Sequence, residues 1–276
     1  MKNKIDNLYK KSSRLRIDDK TKIVIMSDCH RGAGDNFDNF TKNENIFIRA
    51  LKYYYKKGFI YLELGDGDEM WEVNNYRYII EEHADTFKIM KKYNDKKRLI
   101  VIYGNHDIEK KYSKTFQKYY LMVESLILNY KNKDILLFHG HQVDFINGPL
   151  WRLSRFLVKH IWRHLEQFGI KNPTVAGRNY KVKKRIERKF KKWSLKNNKI
   201  VITGHTHRPV YPKIRESLYF NSGSCIHPNG ITCLEIDNGF ITLVKWSYKL
   251  NQFSTITIKR EVLMGKEKIL KFYMNN

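Results

Sequence analysis

The chain has 276 residues, 42% of them hydrophobic, enough to bury a full core as one large domain with no need of a second. Its formal net charge of +25 points toward anionic partners such as phosphorylated substrates, nucleic acid or lipid headgroups, although Lys, Asn, Ile and Tyr are abundant throughout and account for part of the excess. A disulfide-stapled fold and a bilayer-spanning chain are excluded as expectations: Cys29, Cys225 and Cys233 stand at no regular spacing, residues 1–11 lack the apolar stretch of a signal peptide, and no run of about eighteen apolar residues occurs. The expected location is the cytoplasm, with any membrane contact peripheral.

In chain order, five runs of strand-forming residues each end in a polar cluster. Residues 23–26 lead to Asp28-Cys29-His30, 59–64 to Gly65-Asp66-Gly67-Asp68, and 99–103 to Gly104-Asn105-His106-Asp107. Residues 135–138 lead to His139-Gly140-His141, and 200–203 to Gly204-His205-Thr206-His207. Active sites of open α/β sheets gather at the carboxyl ends of strands. One such cluster is as easily a turn with a satisfied histidine; five in register, each with Asp, Asn or His, point to a site. A mixed imidazole and carboxylate set suits Mn, Fe or Zn, whereas oxygen alone would suit Mg or Ca and thiolates a structural Zn. Two ions about 3.5–4 Å apart need a ligand that reaches both, a role suited to a carboxylate. Asp66 is assigned that bridge because its cluster sits second in the sheet, while Asn105 adds coordination without charge. Cys29, between two proposed ligands, is expected to point away from them as a small buried filler.

Between the fourth and fifth clusters a helical insertion is expected over about 147–195. Its first helix, 149–168, is apolar nearly all round and needs cover on more than one side. Its second, 180–193, places Val182, Ile186, Phe190 and Trp193 at helical spacing among lysines and arginines, a basic amphipathic helix. Three readings stand for the pair: self-packing with a solvated charged face, a lid that admits an apolar chain or touches an anionic membrane, and a contact with nucleic acid. Further strands are expected at 218–221, 231–236, 240–246 and 253–258, with Asp237-Asn238-Gly239 as a hairpin turn. Residues 129–134 and 196–199 read as polar turns, and the tail from Glu261 as a short helix or a disordered end.

The motif order Asp-x-His, Gly-Asp, Gly-Asn-His-Asp, His-Gly-His, Gly-His-Thr-His resembles the calcineurin-like metallophosphoesterases over about residues 22–224. The resemblance implies an α/β fold, a two-sheet β-sandwich flanked by helices, here with a helical lid insertion. It also implies two divalent metal ions, Mn foremost with Fe or Zn as alternatives. The first ion would be held by Asp28, His30, Asp66 and His207, and the second by Asp66, Asn105, His139 and His205. His106 would be the general acid with Asp107 orienting its ring, and a metal-bridging hydroxide would attack phosphorus in line.

Gly204 to Pro209, Trp71 and the insertion look like the UDP-diacylglucosamine pyrophosphohydrolase branch, which hydrolyses a pyrophosphate and holds acyl chains under a helical lid. This chain departs from that branch at His106, where the branch has arginine, and at His141, where it has aspartate. The substrate implied is a small phosphodiester or pyrophosphate, nucleotide-linked or otherwise anionic, with Arg31, Trp71 and Arg208 as contacts. Protein phosphatase and nuclease activities are alternatives on the same centre, and a non-catalytic binding scaffold is the alternative of another class.

Overall fold

The computed structural model describes residues 2–73, 75–112, 120–143, 180–250 and 255–273. Its strands are β1 (Ser13–Ile17), β2 (Ile23–Met26), β3 (Ile60–Leu64), β4 (Leu99–Ile102), β5 (Leu121–Val123), β6 (Ser125–Tyr130), β7 (Lys133–Phe138), β8 (Ile200–Thr203), β9 (Tyr219–Asn221), β10 (Ile231–Asp237), β11 (Phe240–Leu250) and β12 (Ile256–Lys268). The helices are α1 (Lys2–Lys11), α2 (Glu44–Lys56), α3 (Tyr76–Glu82), α4 (Ala84–Asp95) and α5 (Tyr180–Asn197). One sheet has the order β12-β11-β10-β2-β3-β4-β5 and the other β1-β6-β7-β8-β9.

Successive side chains of a strand point to opposite faces, and this alternation builds the layers. Ile23, Ile25, Leu62, Leu64, Ile100 and Ile102 of the larger sheet meet Leu126, Leu128, Ile135, Leu137, Ile200 and Ile202 of the smaller one between the sheets. The intervening Val24, Met26, Tyr61 and Val101 face outward and are covered by Phe47, Leu51 and Tyr54 of α2 and by Ile89 and Tyr93 of α4. On the far side Ile127, Leu136, Phe138 and Val201 are covered by Ile5 and Leu8 of α1 and by Ile186, Phe190 and Trp193 of α5. Each such side chain contributes roughly 1.5–3 kcal/mol on burial. The central strands, apolar on both faces, read in sequence as continuous hydrophobic runs for this reason.

The expected two-sheet sandwich flanked by helices is therefore observed. Of the insertion, only the second helix lies within the described residues; 149–168 lies outside them. The apolar stripe of α5 is spent on the smaller sheet, so its exposed face is charged. Asn238 and Gly239 take positive φ values of 52° and 70° and join β10 to β11 in a tight hairpin. The tail corrects the expectation of a helix or a disordered end: Glu261 lies within β12, which pairs along β11 to Lys268, and a short 3-10 turn (Ile269–Phe272) follows. Among the described residues, no helix is long and apolar enough to cross a membrane.

The loop after the first cluster is pinned by Asp38, whose carboxylate accepts from the backbone N–H groups of Gly32 and Gly34 at 3.1 Å and from Nε2 of His83 at 2.8 Å. His83 Nδ1 lies 3.1 Å from Glu44 on α2, and the ring is fully buried. Burial alone would lower its pKa, but the two carboxylates raise it to about 9. The stability this imidazolium supplies, at most about 3 kcal/mol, is complete below the ordinary histidine value and is lost as pH rises through about 9. His83→Gln is accordingly expected to lower the urea midpoint at pH 6 and to leave it near wild type at pH 10; an equal deficit at both would refute the charged ring.

Candidate metal centre

Strands β2, β3 and β4 are parallel neighbours with β3 in the middle, and β7 and β8 are parallel neighbours in the other sheet. Their carboxyl ends lie along one edge of the sandwich, so three clusters come from one sheet and two from the other. Directly after these strands the backbone turns through the left-handed region at Asp28 (φ 53°), His30 (48°), Asp66 (51°), His205 (64°) and His207 (53°). Non-glycine residues take this conformation rarely, at a cost on the order of 1–3 kcal/mol each, and such strain concentrates at functional sites. Backbone bonds hold it: Asp28 N–H donates to Gly65 C=O at 3.0 Å, His30 N–H to Asp66 C=O at 2.9 Å, and His205 N–H to the Asp28 carboxylate at 3.1 Å. The glycines that open the clusters permit close approach. A Cβ on Gly104 would stand 2.0 Å from Asp66 Oδ1, and one on Gly204 would stand 2.6 Å from Asp28 Oδ2.

The turns gather two triads of donor atoms around Asp28 and Asp66, Asp28 with His30 and His207, and Asp66 with His139 and His205, and a third group, Glu69 with His30 and His106, shares His30 with the first. Asp66 also approaches the first triad, its Oδ2 being 2.9 Å from His139 Nε2 and 3.8 Å from His30 Nε2. Asp28 Oδ1 is 3.1 Å from His207 Nε2. His139 is oriented by the carbonyl of Leu64, to which its Nδ1–H donates at 2.9 Å, leaving Nε2 toward the cluster. Among the described residues, none offers a hydrogen bond to the buried His30 Nε2 or Asn105 Oδ1. A buried polar atom without a partner carries a desolvation cost, and two such atoms in the clusters that meet at this edge fit a bound cation.

The charges agree with that fit. Burial opposes a charge on His30, but its hydrogen bond to Glu69 and the carboxylates of Glu69, Asp66 and Asp28 raise its pKa to about 10. His139, also penalised by burial, is raised to about 9 by Asp66 and Asp28. Asp66, against the upward push of burial, is held well below the usual carboxylate range by His139, His106 and His30. Burial outweighs Asp28 only at His207, whose pKa falls. Protons thus collect where cations would sit, and cation binding would release them.

The third cluster places His106 beside the triads, its ring 4.6 Å from that of His30. Asp107 does not orient that ring, contrary to expectation. Its carboxylate accepts from Gly104 N–H at 2.6 Å, Gly67 N–H at 3.1 Å and Lys110 Nζ at 2.9 Å, tying the second cluster to the third. Glu69 takes the orienting role, with Oε1 2.6 Å from His106 Nδ1 and Oε2 2.7 Å from His30 Nδ1. This double bond lowers the Glu69 pKa to about 2 despite burial. Trp71 is also corrected: it is buried and stacks on His106 at 4.2 Å with 22° between the planes, so it backs the imidazole and presents no face to a substrate. β7 ends at Phe138, so no strand continues to His141, whose ring lies 5.6 Å from that of His139. Cys29 is buried in the outer core against α2, away from the donors.

Arg31 is corrected as well. Its guanidinium is fully buried and forks onto Glu63 at 2.8 and 2.9 Å, with Nε on Asp68, which also meets Lys110. Tyr61 donates to Glu63 and Tyr76 to Asp68. Fully buried and paired with two carboxylates, the guanidinium is not presented to a substrate phosphate. Removing one partner of a buried ion pair leaves an uncompensated charge, so Arg31→Met is expected to cost about 3–5 kcal/mol of stability. An unchanged melting temperature together with a tenfold rise in KM for a phosphoester would restore the substrate role.

Arg208 is 43% exposed and pairs with Glu187 of α5, its Nε donating to Oε1 at 3.1 Å. Lys183, one turn earlier on α5, is half-buried, and burial lowers its pKa against the pull of Glu187. Glu69, Glu63, Lys110 and Glu187 were not among the expected site residues. For Glu69 the sequence offers a signal in its place three residues after Asp66; the others carry none, because their partners come from distant parts of the chain.

Donors of mixed imidazole, carboxylate and amide type, at the carboxyl ends of strands from both sheets of a helix-flanked sandwich, define a metal-binding phosphoesterase-type site. The chain belongs to the calcineurin-like phosphoesterase superfamily, whose domain matches residues 21–239, and that family is one of metal-dependent phosphoesterases. No curated protein matches the sequence. Solved structures similar to it include an archaeal phosphodiesterase, 17% identical over 88% of this chain and 100% of its own with a TM-score of 0.38. A predicted phosphoesterase of Streptococcus pneumoniae is 17% identical over 88% and 97%, with a TM-score of 0.37. The vacuolar protein sorting 29 protein of Cryptosporidium parvum is 14% identical over 89% and 98%, with a TM-score of 0.42.

Proposed function

We propose that the protein hydrolyses a phosphodiester or pyrophosphate bond in a small anionic, nucleotide-linked substrate with the help of two divalent cations, manganese foremost. The observation that carries this reading is that Asp66, a member of one donor triad, also approaches His30 of the other, where His30 Nε2 is buried with no hydrogen-bond partner among the described residues. Asp28, His30, Asp66 and His207 would hold one cation, and Asp66, Asn105, His139 and His205 the other. Bound there, such ions supply Lewis acidity toward phosphoryl oxygens and acidify water.

The chain's own residues do the rest. Glu69 receives Nδ1–H from both His30 and His106, which turns Nε2 of the first toward the donors and leaves Nε2 of the second for the leaving oxygen. Burial disfavours the charged form of His106, but Glu69 and Asp66 raise its pKa, so the ring holds a proton to give. Trp71 fixes its plane. Lys183 and Arg208 form a cationic rim where an anionic substrate would meet α5. The sequence likeness to the pyrophosphohydrolase branch, now resting on Gly204 to Pro209 and the insertion, supports a nucleotide-linked pyrophosphate.

The test is hydrolysis by metal-stripped protein, with Mn added back, of bis-p-nitrophenyl phosphate, p-nitrophenyl phosphate, a UDP-sugar, a phosphopeptide and single-stranded DNA. Mn-dependent turnover of the UDP-sugar above the rest is expected. Preference for the phosphopeptide or DNA would overturn the substrate class, and no turnover of any despite bound Mn would overturn hydrolysis.

A further inference from the structure

The helix α5 is basic along its length and carries one acid, Glu187. That acid is buried, 3% exposed, on the helix face that meets the fifth cluster. Its Oε1 accepts from Thr206 Oγ1 at 3.2 Å and from Arg208 Nε at 3.1 Å, and its Oε2 pairs with Arg208 Nη2. Thr206 is the residue between His205 and His207, one of which belongs to each donor triad. Both histidines sit at positive φ, so the loop is strained and needs its surroundings to hold it. From the opposite side Asn221 Nδ2 donates to Gly204 C=O at 2.7 Å and to Thr206 Oγ1 at 3.2 Å. Thr206 is thus gripped between the end of β9 and α5, and the α5 side of the grip is a single carboxylate.

We propose that Glu187 is a positioning residue for both cations: by binding Thr206 and Arg208 it sets the backbone from which His205 and His207 reach the donor cluster. Docking of α5 and assembly of the metal site are thereby one event. A hydrophobic stripe suffices to pack α5 on the sheet, and Ile186, Phe190 and Trp193 supply it; a buried carboxylate beside them adds desolvation cost and is explained by what it holds. This inference rests on the metal-centre reading above and concerns affinity, not turnover.

The experiment is titration of metal-stripped protein with Mn(II), read by electron paramagnetic resonance of free Mn(II), for wild type, Glu187→Gln, Arg208→Gln and Arg260→Gln. The last is a control for loss of a buried-edge ion pair remote from the site, since Arg260 pairs with Glu235 between β10 and β12. Partners that orient ligands typically govern metal affinity by about 10–100-fold. Glu187→Gln and Arg208→Gln are expected to weaken Mn binding by at least about tenfold, with wild-type circular dichroism, while Arg260→Gln lowers the melting temperature and leaves affinity unchanged. Affinity within about threefold of wild type in both Glu187→Gln and Arg208→Gln would overturn the proposal, as would an equal loss in Arg260→Gln. If the wild type itself binds no Mn, it is the metal-centre reading that fails.

Discussion

Asp66→Asn is expected to abolish Mn-dependent hydrolysis, with a loss of about 10³-fold or more in kcat and a fall from two bound Mn per chain to one or none. The substitution is nearly isosteric, so the effect isolates charge. Asp66 comes from the middle strand of the three that meet at the edge, and its Oδ2 reaches both His139 and His30. An amide there removes the anion shared by both triads and places a donor against two imidazoles. Its other oxygen accepts from the backbone N–H of His106 at 2.9 Å, a bond that asparagine can keep, so the fold should survive. Metal content measured on the purified variant, alongside kcat, decides the matter. Full occupancy by two Mn with wild-type turnover would remove Asp66 from the centre.

His106→Ala should act on chemistry alone. A positioned general acid is worth about 10²–10⁴-fold, and the loss should depend on the leaving group, large for a sugar or alcohol and small for p-nitrophenolate, which departs without a proton. His106 is bonded to Glu69 and stacked on Trp71, and it stands in the donor group of His30 and Glu69 but in neither of the triads around Asp28 and Asp66, to which the cations are assigned. Mn content should therefore stay at the wild-type value. A variant that loses Mn, or is slowed equally on both kinds of substrate, would show that His106 serves the metals instead. Because Glu69 also holds His30, the same measurement on Glu69→Gln should show both deficits together.

The candidate donor residues and the five strands that present them are legible along the chain because each signal is local. A strand buried on both faces must be apolar throughout, and the polar residues that follow it stand out at once. Strand β12 is legible only at its start, where the expected strand at 253–258 meets it: it lies at a sheet edge, most of it is exposed or half-exposed, and charged residues interrupt its pattern, so only pairing with β11 defines its length. The amino-terminal segment reads as a charged stretch until Ile5 and Leu8 find cover against the smaller sheet.

Roles that depend on which side chains meet required the tertiary structure. Asp107 is adjacent to His106 in the chain, yet the turn sends its carboxylate to Gly104, Gly67 and Lys110, and Glu69 arrives from the neighbouring strand end to hold the ring. Arg31 follows a proposed ligand, yet alternation about the strand end sends it into Glu63 and Asp68 beneath the site. Glu187 has no mark in sequence beyond being the single acid of a basic helix. By itself the sequence determined the candidate donors, their order and the sheet ends that carry them, because those follow from periodicity and residue chemistry. Only the tertiary structure decided which carboxylate serves which histidine, because a hydrogen bond depends on distance and direction, and neither is a function of separation along the chain.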